Sequence, residues 1–149
     1  MDLCLFASRT ITNIWAGIGA RMWAVSHEQA TNIPSLAQKA LRMPIGALGL
    51  FYCSETHSFT TPFLVYSPPQ EGVVVDDVWP EQWTLPFRIH PLGTPRNQLH
   101  KDEAQNIIPT LSNSDEPWTS AFFVQPTTVF VPSQITSDDW QILIQRLAE

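Results

Sequence analysis

The chain opens on an apolar run, Leu3–Ala7 (LCLFA), which predicts a buried strand. A polar break follows at Ser8, Arg9 and Thr10, residue types suited to capping a helix. Thr12–Arg21 (TNIWAGIGAR) then reads as a short helix, weakened by Gly17 and Gly19. Its GIG lacks both the third glycine of a dinucleotide fingerprint and the lysine of a P-loop, so close packing against a sheet is the expected reason for it. Met22–Ser26 (MWAVS) reads as a second short strand and His27–Thr31 as a polar turn. In SLAQKALR, Ser35 is placed to cap a helix whose apolar face is Leu36, Ala40 and Leu41, with Pro44 and Gly46 ending it. Ala47–Ser54 (ALGLFYCS) is the clearest strand of all. A turn over Thr56–Thr60, a strand over Pro62–Ser67 and a turn over Pro68–Gly72 continue it as an antiparallel meander.

Val73–Val75 leads into a polar loop that carries Trp79 and Trp83, and Leu85–Leu92 leaves that loop as an extended segment. Pro86 and Pro91 have no backbone N–H, which predicts a short strand or one at a sheet edge. Thr94–Pro117 is polar and irregular, with a short helix near Lys101–Ile107. Trp118–Val124 and Thr128–Val131 read as a last pair of extended segments. A terminal helix starts after Thr136, with Asp138 and Asp139 near its positive end and Trp140, Ile142, Leu143, Ile144 and Leu147 on its apolar face. Trp15 and Trp140, both on helical faces, are expected in the core. Strands outnumber helices and no internal repeat is visible. The predicted class is α+β: a bent, mostly antiparallel sheet or open barrel with peripheral helices.

Composition narrows this picture. A length of 149 residues fits one domain over 1–149. Charged residues are only 15% while Pro (13) and Trp (6) are abundant, which favours short strands and turns over long surface helices. The net charge of −6 argues against a broad basic grip on nucleic acid. Any such role must gather charge locally, around Arg9, Arg21, Arg88, Arg96 and Lys101, or read a base instead of the backbone. No signal peptide and no apolar stretch of membrane-spanning length is evident, so a soluble cytoplasmic or nuclear protein is expected.

Three chemistries are conceivable. Cys53 and His57 stand four residues apart, a nucleophile–base spacing, but Cys53 lies inside an apolar run where an inert thiol is the expectation; no enzyme is expected. Cys4 and the four histidines show no ligand spacing, and Asp76, Asp77 and Glu81 read as a solvated loop, so neither metal nor cofactor is expected. The third is an aromatic pocket of Trp23, Trp79 and Trp83, whose faces suit a flat heterocycle. Ser8, Asn13, Ser26, Ser54 and the backbone of Ala24 lie near strand ends and can supply donors and acceptors to a base edge.

The order NIW, WAVS, ALGLFYCS, VWPEQWTLPFRIHPLG and RNQL resembles the PUA-like superfamily, in its EVE and YTH branches. The resemblance spans roughly residues 3 to 110. The two loop tryptophans stand one residue closer than in YTH domains proper, and the acid-rich DDVWPEQWTLPFRI fits the EVE loop equally. It implies a PUA-like fold and a non-catalytic domain that takes a flipped, methylated base into an aromatic cage. For YTH relatives that base is N6-methyladenine. For EVE relatives it is often a modified cytosine in DNA, within a modification-dependent restriction system whose effector nuclease or NTPase sits in the same or a partner chain. Carried onto this sequence, Trp23 is one wall and Trp79, Trp83 or both the other. Ala24 and Ser26 read the base edge, and Arg88 and Arg96, with Arg9 and Lys101, meet phosphate. The rival expectation is a protein-interaction or regulatory domain on the same scaffold. Basic residues gathered at the pocket favour the reader, and scattered ones favour the rival.

Overall fold

The computed structural model describes residues 1–149, and in it the first apolar run forms β1 (Asp2–Ser8). Successive side chains of a strand point to opposite faces. Cys4 and Phe6 accordingly enter one buried apolar cluster, and Leu3 and Leu5 enter another on the far side of the sheet. Helix α1 (Ile11–Ala20) starts where Thr10 accepts a hydrogen bond from the Asn13 N–H and stops where Arg21 turns left-handed at φ 51°. Strand β2 (Met22–Ser26) follows. The segment expected as a polar turn is instead helix α2 (His27–Asn32). The Ser26 hydroxyl accepts the Gln29 N–H at 3.1 Å and Glu28 sits in the first turn, enough to hold a short helix against β2. Helix α3 (Leu36–Leu41) buries Leu36 and Ala40, but Ser35 makes no side-chain cap.

Strands β3 (Leu48–Cys53) and β4 (Ser58–Val65) form an antiparallel hairpin. Strand β4 begins earlier than expected, because Ser58–Thr60 pairs on one side with β3 and on the other with β7 (Gln98–His100). Two-residue β5 (Val74–Val75) pairs with β6 (Trp83–Pro91). The principal sheet runs β2–β6–β4–β3–β1–β8, with β8 at Ser133–Gln134. The β1–β3 pair is parallel and the other pairings are antiparallel, a curled mixed sheet with helices around it.

Strand β6 corrects an expectation. It is neither short nor at an edge: it runs nine residues between β2 and β4. Trp23 pairs with Phe87 and Val25 with Thr84, so Leu85 and Pro86 together face Ala24 across a bulge, where Leu85 has φ 56°. A bulge is where a strand interior tolerates a residue without an N–H.

The last third holds the other corrections. After α4 (Lys101–Ile107) and α5 (Pro109–Ser112), Trp118–Ala121 is helix α6 where an extended segment was expected, and Thr128, the first residue of the second expected segment, ends a 3-10 turn that starts at Pro126. Trp118 and Phe122, one helical turn apart, both pack on Phe59, at ring-centroid distances of 5.1 and 6.0 Å. That is a helical period, which a short apolar run does not separate from a strand. Helix α7 (Ser137–Leu147) closes the chain with a reciprocal cap between Thr136 and Asp139. Trp140 is half-buried against the second cluster, whereas Trp15 is 41% exposed, contrary to expectation. Ile14 and Gly17 form the buried stripe of α1, and Trp15 stands about 100° around the helix from Ile14. Gly17 permits the contact: a Cβ there would lie 2.8 Å from the Trp23 ring. No helix is long and apolar enough to cross a membrane.

Candidate base-binding site

Three indoles from distant parts of the chain meet at the β2–β6 end of the sheet. Trp23 comes from β2, Trp79 from the loop after β5, and Trp83 from the first position of β6. Trp79 and Trp83 lie parallel, centroids 4.1 Å apart at an interplanar angle of 12°. Trp23 stands perpendicular to both, 5.5 Å from Trp79 and 5.0 Å from Trp83. Trp23 is thus a floor and the other two are walls. The walls touch: exposures are 2%, 4% and 6% for Trp23, Trp79 and Trp83. A flat ring sandwiched between the walls needs about 3.5–4 Å on each side, so the centroids must part to roughly 7–8 Å.

The walls are anchored unequally. Trp83 belongs to the β-ladder, and its indole N–H donates to Glu81 Oε1 at 3.3 Å. Trp79 sits in a loop, and its indole N–H donates to the Asn13 carbonyl at 3.0 Å. Trp79 is therefore the wall that can swing without breaking a strand.

Beside the indoles opens a cleft of about 940 Å³. Trp23 and Trp83 line it, together with Ala24, Ser26, Ser8, Asn13, Ser54 and Arg9. Every base-edge candidate read from the sequence thus borders one cleft, while Trp79 stands behind Trp83. Their polar groups differ in freedom. The Ser26 hydroxyl caps α2, and the Ser8 hydroxyl donates to the Thr10 carbonyl at 2.8 Å. The Ser54 hydroxyl donates to the Ser8 carbonyl at 3.4 Å. Ala24 opposes the bulge, where Leu85 keeps its N–H and Pro86 has none.

The phosphate candidates do not gather. Arg9 lines the cleft. Arg88 lies farther along β6, about 17 Å from Trp83 at ~3.4 Å per residue. Arg96 pairs with Glu149 at 3.3 Å. Lys101 begins α4, beyond His100, which is reached from Ser8 through the register Ser8–Cys53–Ser58–His100, about 14 Å across three strand spacings. Arg21 sits past the far end of α1 beside a smaller hollow with His90 and Glu149.

Sequence reasoning missed part of the wall. Phe123–Pro126 and Val129 close the cleft from the C-terminal third, and Glu28, Gln29 and Asn32 close it from α2. No local signal marks the first group, which reaches the cleft only through the tertiary fold. The second was hidden by reading α2 as a turn. Neither cysteine is poised for chemistry: burial, helped by Asp2, raises the Cys4 thiol to about 12, and Cys53 is fully buried. No group of three or more His, Cys, Asp or Glu side chains comes together to hold a cation.

No protein-family model matches the chain. No curated protein matches it in sequence. Solved structures do match in shape. A YTH domain of the Zygosaccharomyces rouxii MRB1 protein, crystallised with N6-methyladenosine RNA, superposes with a TM-score of 0.60 at 14% identity, covering 97% of this chain and 84% of that one. The Toxoplasma CPSF4 YTH domain in apo form gives 0.56 at 16% identity, covering 99% and 88%. With a curled mixed sheet, peripheral helices and these matches over nearly its whole length, the chain has the fold of the YTH domains.

Proposed function

We propose that residues 1–149 act as one non-catalytic domain that accepts a single methylated base between Trp79 and Trp83, above Trp23. The observation that carries this reading is the floor-and-walls arrangement of the indoles, with Trp23 and Trp83 on the cleft and Trp79 stacked behind Trp83. Opening the walls gives up one aromatic stack, about 0.5–1.5 kcal/mol, and the Trp79–Asn13 hydrogen bond, about 1 kcal/mol. A base between them stacks on two faces, at about 1–3 kcal/mol each. The exchange favours a bound base, and a methyl group adds apolar area over the Trp23 floor. Swinging Trp79 also releases the Asn13 carbonyl as an acceptor for a base N–H.

N6-methyladenine in RNA is the favoured ligand, because the Z. rouxii domain of the same fold was crystallised with RNA carrying it. The second reading, a protein-interaction domain with a vestigial pocket, draws on the scatter of the basic residues.

Titration of matched RNA and DNA oligonucleotides carrying N6-methyladenine, 5-methylcytosine, 5-hydroxymethylcytosine or no modification tests the proposal, repeated with Trp83→Ala. One modified ligand is expected to bind at least tenfold tighter than its unmodified match, and the substitution to lower that affinity by about 10–100-fold, as loss of one stacked face implies. Equal weak binding by all ligands, unchanged in the variant, leaves the interaction-domain reading standing.

A further inference from the structure

We infer that the recognised unit is one modified nucleoside carrying at most one engaged phosphate, and that flanking strand adds nothing to its affinity. This rests on the base-binding reading above and concerns what the rest of the ligand meets. A single strand tracks along a protein through Lys and Arg contacts to successive phosphates. The chain has eight such residues. Two are paired with carboxylates, Arg96 on Glu149 and Arg146 on Glu103 at 2.7 Å, and Lys39, its charge uncompensated, is tied to the Thr127 carbonyl. Of the remainder, Arg21, Arg88 and Lys101 lie at the distances described above and Arg42 ends α3, which leaves Arg9 on the cleft.

The charge that does face the cleft is mostly of the wrong sign for a strand. Glu28 and Glu81 both line it. The N-terminus of α1, where backbone N–H groups would welcome a phosphate, is taken by the protein itself: the Ile11 N–H donates to Glu55 Oε2 at 2.9 Å. A strand leaving the slot therefore runs past Glu28, Glu55 and Glu81 with Arg9 as its cationic contact. The base supplies stacking and edge contacts, Arg9 meets one phosphate, and the next phosphates meet carboxylates.

The test uses calorimetric titration of the full chain with three probes: N6-methyladenosine, its 5′-monophosphate, and a seven-nucleotide RNA with one central N6-methyladenosine. Each is titrated at 50 and 200 mM salt, with a parallel 5-methylcytidine series. Affinities within about threefold of one another are expected, with log K falling against log salt by a slope of about −0.7 or shallower, about −0.7 being the value for one single-strand phosphate. Arg9→Ala is expected to erase any advantage of the monophosphate over the nucleoside. An oligonucleotide that binds tenfold or more tighter than the nucleoside, with a slope of −2 or steeper, overturns the inference while leaving the base-binding reading intact. Failure of both nucleosides and both oligonucleotides to bind removes that reading, and this inference with it.

Discussion

The two faces of the sheet are built from the same residue types and end differently. On one face Phe59, Tyr52, Trp118 and Phe122 pack tilted or edge-on, with centroids 4.5–6.0 Å apart, under α4–α7. On the other, Phe6, Phe51, Phe63 and Phe87 form a similar nest. Beyond them the helical cover stops short, the cleft opens, and two indoles lie flat on each other. Edge-to-face packing satisfies aromatic quadrupoles and fills volume from several directions. A parallel pair is held mainly across its two faces and can part like the pages of a book. One face is therefore spent on stability, and the other keeps a separable contact.

The largest effect that should break this comparison is Phe59→Ala on the covered face. Phe59 is fully buried. Its loss is expected to cost about 3–5 kcal/mol in urea unfolding. A cost below about 1 kcal/mol would mean that the helices there do not seal a tightly packed layer.

The matching perturbation on the cleft face is Gly17→Ala. The new methyl meets the Trp23 ring at 2.8 Å and the Met22 carbonyl at 2.9 Å, so a loss of about 1–3 kcal/mol is expected, with weaker base binding as the floor shifts. Gly19→Ala, whose Cβ meets nothing within 4 Å, should be neutral or stabilising by up to about 1 kcal/mol. If thermal unfolding ranks the pair the other way, the close approach of α1 to the floor is wrong.

A third effect is conditional on pH. Asp139, buried at the start of α7, accepts from the Thr110 N–H at 2.9 Å, the Thr136 N–H at 2.7 Å and the Thr110 hydroxyl. Burial opposes its charge, but these hydrogen bonds prevail and hold the carboxyl below its usual range. A depressed carboxylate stabilises the fold above its ordinary pKa of about 3.9, and that contribution is lost as pH falls through the lower folded value. Asp139→Asn should therefore cost about 1–3 kcal/mol near neutrality. The gap to the parent chain should close below about pH 4; a constant gap assigns the cost to packing alone.

Much of this architecture is legible in the amino-acid order. The apolar runs at Leu3–Ala7 and Ala47–Ser54 mark strands, Lys101–Ile107 marks its helix, and the resemblance brings Trp23, Trp79 and Trp83 to one place. Three things were not legible. Pro86 argues against an interior strand unless the bulge beside Leu85 is known, and a bulge is a property of two strands. Trp15 and Ile14 are neighbours with opposite fates, decided by where Gly17 lets the helix touch. The spacing of Trp79 and Trp83 says that they share a loop, but loop spacing does not fix whether two rings meet face to face.

Two parallel indoles at 4.1 Å also share their excited states. Their electronic transitions couple at that distance, and a ring inserted between them would weaken the coupling and shift the indole absorption and emission. The protein thus carries an optical gauge of its own slot, readable without any label.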